Sequence, residues 1–151
     1  MATRLENNLL KLVSEGQHVG ADEVTALFDR LPPVSVQELL GDWQGLAIQT
    51  GHKDVETLDS IGWVGKTFHS ADEVDPVIVL SPDGKRVAKG EWGSARIYEV
   101  RFRGIVSAAM VYDQLPIIDH FRRLEDNILI GVMDKKGACE DFGMAFILRR
   151  I

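Results

Sequence analysis

The second half of the chain is a succession of strand-like segments whose connections are too short to hold a helix. The segment ARIYEVRFRG, residues 95–104, alternates apolar and charged residues. The runs IVSAAMVYD, NILIGVMD and FGMAFILRR follow it, each bounded by turn residues, and PVIVL precedes the tight-turn signal SPDGK. With the segments around the first two tryptophans, this gives about seven or eight strand candidates at hairpin spacing. Parallel pairing would need longer crossover connections, so the pattern predicts antiparallel strands.

Small residues on these strands favour a closed barrel over a sandwich. Ala108, Ala109, Gly131, Gly143 and Ala145 stand where a packed sandwich core would more often carry Leu, Ile or Val. Small inward side chains leave space for a cavity, as in barrels that enclose one ligand. We therefore predict a barrel, with a sandwich as the alternative.

The first forty residues are predicted to be helical. Ser35 and Glu38 form a capping-box pattern for a short helix, and KDVETLDSIG, residues 53–62, is a helical insertion between strands. The predicted fold is a single α+β domain, 1–151, with a helical segment, 1–40, packed on a lipocalin-like antiparallel barrel, 41–151. The first helix carries more apolar residues than an isolated surface helix needs, so it packs on the barrel wall or on a second copy, and we favour a homodimer. Apolar residues recur at helical spacing in two earlier segments: Leu5, Leu9, Leu12 and Val13, then Val24, Leu27, Phe28 and Leu31.

Composition excludes several classes of protein. The net charge of -6 would repel phosphates, so nucleic acid is not an expected partner. Cys139 is the only cysteine, which rules out an intramolecular disulfide and a cysteine-based zinc site. No apolar run reaches the length of a signal peptide or of a membrane span, so we expect a cytoplasmic protein. Phosphate-loop and dinucleotide motifs are absent from the sequence, so no nucleotide cofactor is predicted. No metal is predicted either, because the four histidines are scattered along the chain: His18, His52, His69 and His120.

The segment GDWQG, residues 41–45, resembles the Gly-x-Trp signature of lipocalin-like barrels. Glycines allow backbones to approach closely at the narrow end of a barrel, and a broad indole can plug that end. Trp43 is therefore expected to close the barrel floor, stacked under the guanidinium of Arg149 or Arg150. The alternative is that Trp43 forms part of a ligand-binding wall.

A longer set of segments is similar to the GXWXG family, over about residues 27–151. These segments are LPPVSVQELLGDWQGLAIQTGH, GWVGKTF, MVYDQLPIIDHFRRLEDNILIGVMDKKG and the closing FILRR. In that family a GXWXG domain is followed by a second domain of unknown function. The resemblance implies a fold and a set of motif positions but no activity. The motif positions are Gly41, Trp43, Gly45, Gly51, His52, Trp63, Gly65, Lys66, Tyr112, Asp113, Pro116, Asp119, His120, Phe121 and Arg122.

Two basic side chains in the first half are candidates for a site. His52 follows a glycine at the end of the first strand, where it can reach the barrel mouth or cap a nearby backbone group. Lys66 shares a strand face with Val64 and Phe68. If that face points inward, Lys66 is a buried amine suited to an anionic partner or to base chemistry. If it points outward, Lys66 is a solvated side chain without a role.

The segment YDQLPIIDHFRRLED is the densest polar cluster in an otherwise apolar half. In one interpretation Asp113 and an inward Asp119 form a pair of carboxylates for acid–base chemistry. In the other, Arg122 and Arg123 neutralise these acids at the sheet surface, as ionic cross-strand pairs do.

These residues predict a pocket with apolar walls and a few polar groups, the usual composition of a small-molecule site. We expect the protein to bind a hydrophobic or amphipathic small molecule, such as a lipid, isoprenoid or polyketide-like compound, inside the barrel. The alternative is a cofactor-independent isomerase, cyclase or hydratase that uses Asp113 or Asp119 as base and His52, Lys66 or His120 as acid or oxyanion donor. The predicted ligand-binding residues are Trp63, Lys66, Tyr98, Phe102, Met110, Tyr112, His120, Phe121, Arg122, Met133, Met144 and Phe146.

Overall fold

The structure, a computed structural model, describes residues 4–138 and 142–151. Cys139 lies outside these residues. The helices are α1 (Arg4–Ser14), α2 (Ala21–Arg30), α3 (Val36–Leu39) and α4 (Lys53–Ile61), with a short 3-10 turn at Gly90–Trp92. The strands are β1 (Gly41–Ala47), β2 (Gly65–Phe68), β3 (Val74–Leu80), β4 (Arg86–Ala88), β5 (Ala95–Phe102), β6 (Ile105–Tyr112), β7 (Ile117–Glu125), β8 (Ile128–Lys135) and β9 (Met144–Arg150). Within the same residues, no helix combines the length and the apolar composition needed to cross a membrane.

Eight of the described strands close into an antiparallel barrel. Around the ring the order is β1, β9, β8, β7, β6, β5, β3, β2, and β2 pairs back onto β1. The remaining strand, β4, forms a hairpin with β3 through the SPDGK turn. The ring is narrowest between β3 and β5, which share one residue pair, Val74 with Ala95. The predicted α+β fold with helices packed on an antiparallel barrel is confirmed.

The helices divide the apolar residues into an interior cluster and an exterior cluster. Inward side chains of the strands pack with residues of α3 and α4, which cover the two ends of the barrel. Outward side chains of β8 and β9, such as Ile130 and Ile147, pack under α1 and α2. Both faces of β8 and β9 are therefore buried, which explains why these segments are nearly continuous apolar runs.

The apolar face of α1 is covered within a single chain. Leu9 and Val13 are buried against α2 and the outer wall of the barrel. Of the two sequence-based alternatives, packing on the barrel wall is the one observed. A homodimer stays a prediction, without support from this face.

Not all of the small residues on the strands face the barrel interior, as the prediction of a cavity requires. Gly131 faces inward, but a Cβ there would come within 2.4 Å of the Phe146 ring, so the glycine admits an aromatic side chain. Ala145 belongs to the exterior cluster under the helices. Ala109 pairs with His120 and shares its outward face. The predicted barrel is confirmed. Ala109 and Ala145, however, face outward and leave no space inside it.

Trp43 plugs the floor of the barrel, as predicted. Its side chain is fully buried, and the indole Nε1 donates a hydrogen bond of 2.7 Å to the Leu39 carbonyl at the end of α3. The guanidinium that stacks on it belongs to Arg150, whose central carbon lies 4.2 Å from the ring centre. Arg150 also donates to the carbonyls of Glu38 and Leu40, so it fixes α3 across the floor.

The two glycines of GDWQG make room for side chains that come from elsewhere. A Cβ on Gly41 would come within 2.9 Å of the Arg150 guanidinium, and one on Gly45 within 2.3 Å of the Trp63 ring. The expectation that these glycines serve close backbone crossing is therefore wrong for both positions. Gly41, Trp43 and Gly45 all point inward because they are two residues apart on one strand.

Adding a methyl group at Gly45 is expected to displace Trp63 from the top of the barrel. We predict that Gly45→Ala lowers the free energy of unfolding by about 1–3 kcal/mol, the usual cost of overpacking. Gly90→Ala is the matched control, because a Cβ at Gly90 would meet no atom within 4 Å. Urea denaturation of both variants measures the difference. Equal stability of the two variants would contradict this packing argument.

Candidate functional site

Lys66 points into the barrel and forms an ion pair with Asp119 on the opposite wall. The lysine lies on β2, and its side chain is only 3% exposed. Its Nζ is 2.9 Å from Asp119 Oδ2 and donates a hydrogen bond of 3.1 Å to the Pro76 carbonyl. Of the two alternatives for Lys66, the inward one is observed.

Aromatic rings surround the ammonium group of Lys66. The Nζ lies 5.5 Å from the ring centre of Trp63, 5.9 Å from that of Tyr112 and 5.2 Å from that of Phe146. Ring faces attract cations most strongly where water is excluded. These rings compensate part of the cost of burying the lysine charge, and they form an apolar wall beside it.

Asp119 is the least satisfied polar group of the described residues. Its side chain is buried completely, and neither carboxyl oxygen accepts an aligned hydrogen bond from those residues. Lys66 therefore approaches Oδ2 as an opposite charge, and none of the described residues donates a hydrogen bond to Oδ1. Burial raises the pKa of Asp119, and the charge of Lys66 opposes this rise. Burial, with a smaller effect of the Asp119 charge, also raises the pKa of Tyr112.

Methionines flank Asp119 on both neighbouring strands. In the strand register Asp119 pairs with Met110 of β6 and with Met133 of β8, and Met133 pairs in turn with Met144 of β9. These four residues form one inward-facing row across four strands. Methionine side chains are flexible and polarizable, so this wall can adapt to the shape of what it contacts.

The structure brings most of the predicted apolar site residues together in the interior. Seven of them belong to the interior cluster or pack against it, around Lys66 and Asp119. They are Trp63, Met110, Tyr112, Phe121, Met133, Met144 and Phe146.

Tyr98 and Phe102 do not line the barrel interior, contrary to prediction. The inward face of β5 is that of Ala95 and Ile97, so the alternate residues point outward. Tyr98 is 52% exposed, and Phe102 packs against Phe28 of α2. In the sequence the aromatic face of β5 is the more apolar one, which favours the inward orientation that the structure does not have.

His120 and Arg122 also lie outside the barrel, because they alternate with Asp119 on β7. The His120 ring stacks on Phe102 at 3.7 Å, and its Nε2 is 3.1 Å from Asp134 Oδ2. Arg122 donates to the carbonyls of Phe28 and Phe102 and lies 4.4 Å from the Phe28 ring centre. Arg122 holds the end of α2 on the outer wall, His120 packs on β5, and neither reaches the interior.

Asp113 and His52 have structural partners away from Asp119. Asp113 lies in the turn after β6, where it pairs with Arg96 at 3.2 Å. The predicted pair of carboxylates is therefore wrong. His52 caps α4, since its Nδ1 accepts a hydrogen bond of 3.0 Å from the Asp54 backbone N–H. The capping alternative for His52 is the one observed.

Sequence reasoning missed the Pro76 carbonyl. The ladder between β2 and β3 shifts register between Gly65 and Thr67, opposite Pro76. The Pro76 oxygen accepts hydrogen bonds from Lys66 Nζ and, at 3.4 Å, from Trp63 Nε1. A proline inside a strand pattern indicates a bulge, and this signal was present in PVIVL.

A groove of about 370 Å³ opens at the end of the barrel that contains the turn between β6 and β7. Its apolar floor is continuous with the interior cluster, because the Trp92 ring centre is 6.3 Å from that of inward-facing Tyr112. The groove therefore borders the interior cluster that surrounds Lys66. Its lining residues are Glu91, Trp92, Leu115, Pro116, Ile117, Lys135 and Lys136.

Removing one partner of the Lys66–Asp119 pair is expected to leave an uncompensated buried group. We predict that Lys66→Met or Asp119→Leu alone lowers the free energy of unfolding by about 3–5 kcal/mol. The double variant Lys66→Met/Asp119→Leu should recover most of that loss, because no charge is then left unpaired. Urea unfolding of the four proteins gives the coupling free energy. Strictly additive losses would contradict a direct pair.

Neutral His120 on the outer wall is expected to make stability depend on pH. Burial lowers the pKa of His120, and the nearby Asp134 opposes this effect. As the pH falls below about 6.5, the unfolded chain takes up this proton before the folded chain does, so stability present at higher pH is lost. His120→Phe should therefore reduce the fall in stability between about pH 7 and pH 5. The exposed His18, changed to Gln, is the control, and identical pH profiles for His120→Phe and the parent protein would contradict the assignment.

Comparisons with known proteins agree with this fold. The chain matches the family described as GXWXG protein over residues 26–84 and the domain of unknown function DUF4334 over residues 93–150. It is similar to a protein from Thermomonospora curvata of known crystal structure, with 41% sequence identity, 99% of each chain covered and a TM-score of 0.90. A search of curated proteins gives no match. The chain therefore belongs to the GXWXG family, with its GXWXG region followed by DUF4334.

Proposed function

We propose that the protein binds a hydrophobic or amphipathic small molecule inside the barrel and holds its polar group at Lys66 and Asp119. The observation that carries this proposal is the fully buried Asp119 carboxyl, which accepts no aligned hydrogen bond from the described residues. Buried polar groups in native proteins nearly always have partners, and an unsatisfied one costs about 1–3 kcal/mol. A ligand hydroxyl or amine that donates to Oδ1 would supply the missing hydrogen bond.

The surroundings of the pair indicate the class of ligand. The walls beside it are aromatic rings and methionines, which favour an apolar molecule such as a lipid, isoprenoid or polyketide-like compound. The only charged groups that meet there, within the described residues, are Lys66 and Asp119. A ligand that carries one polar group on an apolar body fits this arrangement. A cytoplasmic location remains part of the proposal on the compositional grounds given above.

The second candidate is a cofactor-independent isomerase, cyclase or hydratase. It is favoured by one observation, the contact of a carboxyl of raised pKa with an ammonium group in a water-poor interior. In this case Asp119 would move the proton and Lys66 would stabilise an oxyanion. Asp113 and His52 have no part in it, since each has a structural partner elsewhere.

Native mass spectrometry of the protein purified from its producing cells tests the binding proposal. We expect a small apolar compound to co-purify, and to bind on the order of tenfold more weakly to Asp119→Asn, because one hydrogen bond is lost. Asp113→Asn is the matched control, since it removes an exposed carboxyl that pairs with Arg96. Equal binding by both variants would contradict the role of Asp119, and a protein that carries no compound and binds no apolar ligand would contradict the proposal.

Incubation of the co-purified compound with the protein separates the two candidates. A compound that is recovered unchanged indicates a carrier. Conversion that Asp119→Asn abolishes, while the compound still binds, indicates the enzyme.

A further inference from the structure

We propose that Lys66 is a covalent anchor, whose amine forms a reversible imine with a hydrophobic aldehyde or ketone bound in the barrel. The inference rests on the proposed function, since it uses the same interior, and it replaces the donating hydroxyl or amine of the ligand by a carbonyl group that accepts a proton from Asp119. An amine held in an apolar pocket beside an acid is the usual arrangement for imine chemistry.

The burial of Lys66 distinguishes it from surface lysines. Its side chain is 3% exposed, against 79% for Lys85 and 40% for Lys135. A charged pair is costly in an apolar interior, whereas a neutral amine beside a neutral carboxylic acid is not. Lys66 Nζ and Asp119 Oδ2 are 2.9 Å apart. Transfer of one proton from the ammonium group to the carboxylate converts the charged pair into the neutral pair. Burial raises the pKa of Asp119, so its carboxyl holds a proton more readily than an exposed one.

The reaction that follows uses only these two side chains and the ligand. The lone pair of Nζ attacks the carbonyl carbon and forms the C–N bond, while the carbonyl oxygen takes the proton of Asp119. The nitrogen returns a proton to Asp119, which then protonates the hydroxyl so that water leaves. The products are a protonated imine on Lys66, one water molecule and the Asp119 carboxylate as counter-ion. Atoms and charge balance, and no oxidant or reductant is needed.

Aromatic rings connect the groove to Lys66. Trp92 on its floor contacts the ring of Tyr112, and that ring lies 5.9 Å from Lys66 Nζ. An alkyl or isoprenoid body that lies along this apolar path would direct a terminal carbonyl at Nζ. The Pro76 carbonyl, which accepts one Nζ hydrogen, holds the amine in place.

Reductive trapping with dodecanal and sodium cyanoborohydride tests the imine. With dodecanal in equimolar amount, we expect intact-mass spectra to show one dodecyl group per chain and peptide mapping to locate it on Lys66. Asp119→Asn keeps the amine but removes the acid, and should slow the labelling by at least about a hundredfold. The double variant Lys66→Met/Asp119→Leu lacks both groups and should not be labelled at this site. Lys85→Met, in the exposed turn between β3 and β4, should be labelled like the parent protein.

Dodecanol, which has no carbonyl group, separates this inference from the proposed function. Its binding is followed by tryptophan fluorescence, since Trp63 and Trp92 lie on the path. Dodecanol binding without dodecanal labelling at Lys66 would overturn the imine and leave the binding function intact. Binding of neither compound would count against both. Labelling spread evenly over the lysines, or unchanged in the double variant, would also overturn the imine.

Discussion

The pairing of β1 with β9 is the interaction on which the rest of the structure depends. It joins the first strand of the sheet to the last and, with the pairing of β2 and β3, turns an open sheet into a ring. In a ring every second side chain is enclosed, so it must be apolar, small or paired. Lys66 and Asp119 are a buried, charged pair in this interior. Because β2 and β7 lie four positions apart in a ring of eight, the pair spans the barrel from wall to wall.

Two arginines attach helices to this ring by the same two interactions, hydrogen bonds to helix carbonyls and stacking on an aromatic ring. Arg150 donates to carbonyls at the end of α3 and lies on the Trp43 ring, inside the floor. Arg122 donates to a carbonyl at the end of α2 and lies on the Phe28 ring, on the outer wall. The last carbonyls of a helix lack partners within the helix and carry partial negative charge, so a guanidinium satisfies both the hydrogen bonds and the dipole. This accounts for arginines in otherwise apolar strands without any role in a site.

Local signals in the sequence were sufficient for the fold but not for the faces of the strands. The capping box of Ser35 and Glu38 is present as predicted, and the alternation in β5 identified a strand. On β7, however, both Asp119 and His120 are buried, because α2 covers the outside of a wall whose inside is also packed. Where both faces are buried, alternation no longer tells which one is inward. The contact between Lys66 and Asp119 depends on ring closure across more than fifty residues, which no local pattern records.

Each of the two regions of the family contributes one residue to the Lys66–Asp119 pair. Lys66 belongs to the region matched as GXWXG protein, and Asp119 to the region matched as DUF4334. The ladder between β1 and β9 and the single pair between β3 and β5 join these regions, so both contribute strands to one barrel. A half-barrel would expose the inward face of each region to water, and neither Lys66 nor Asp119 would then have its charged partner. The low-dielectric surroundings that couple the two groups therefore exist only when both regions close on each other.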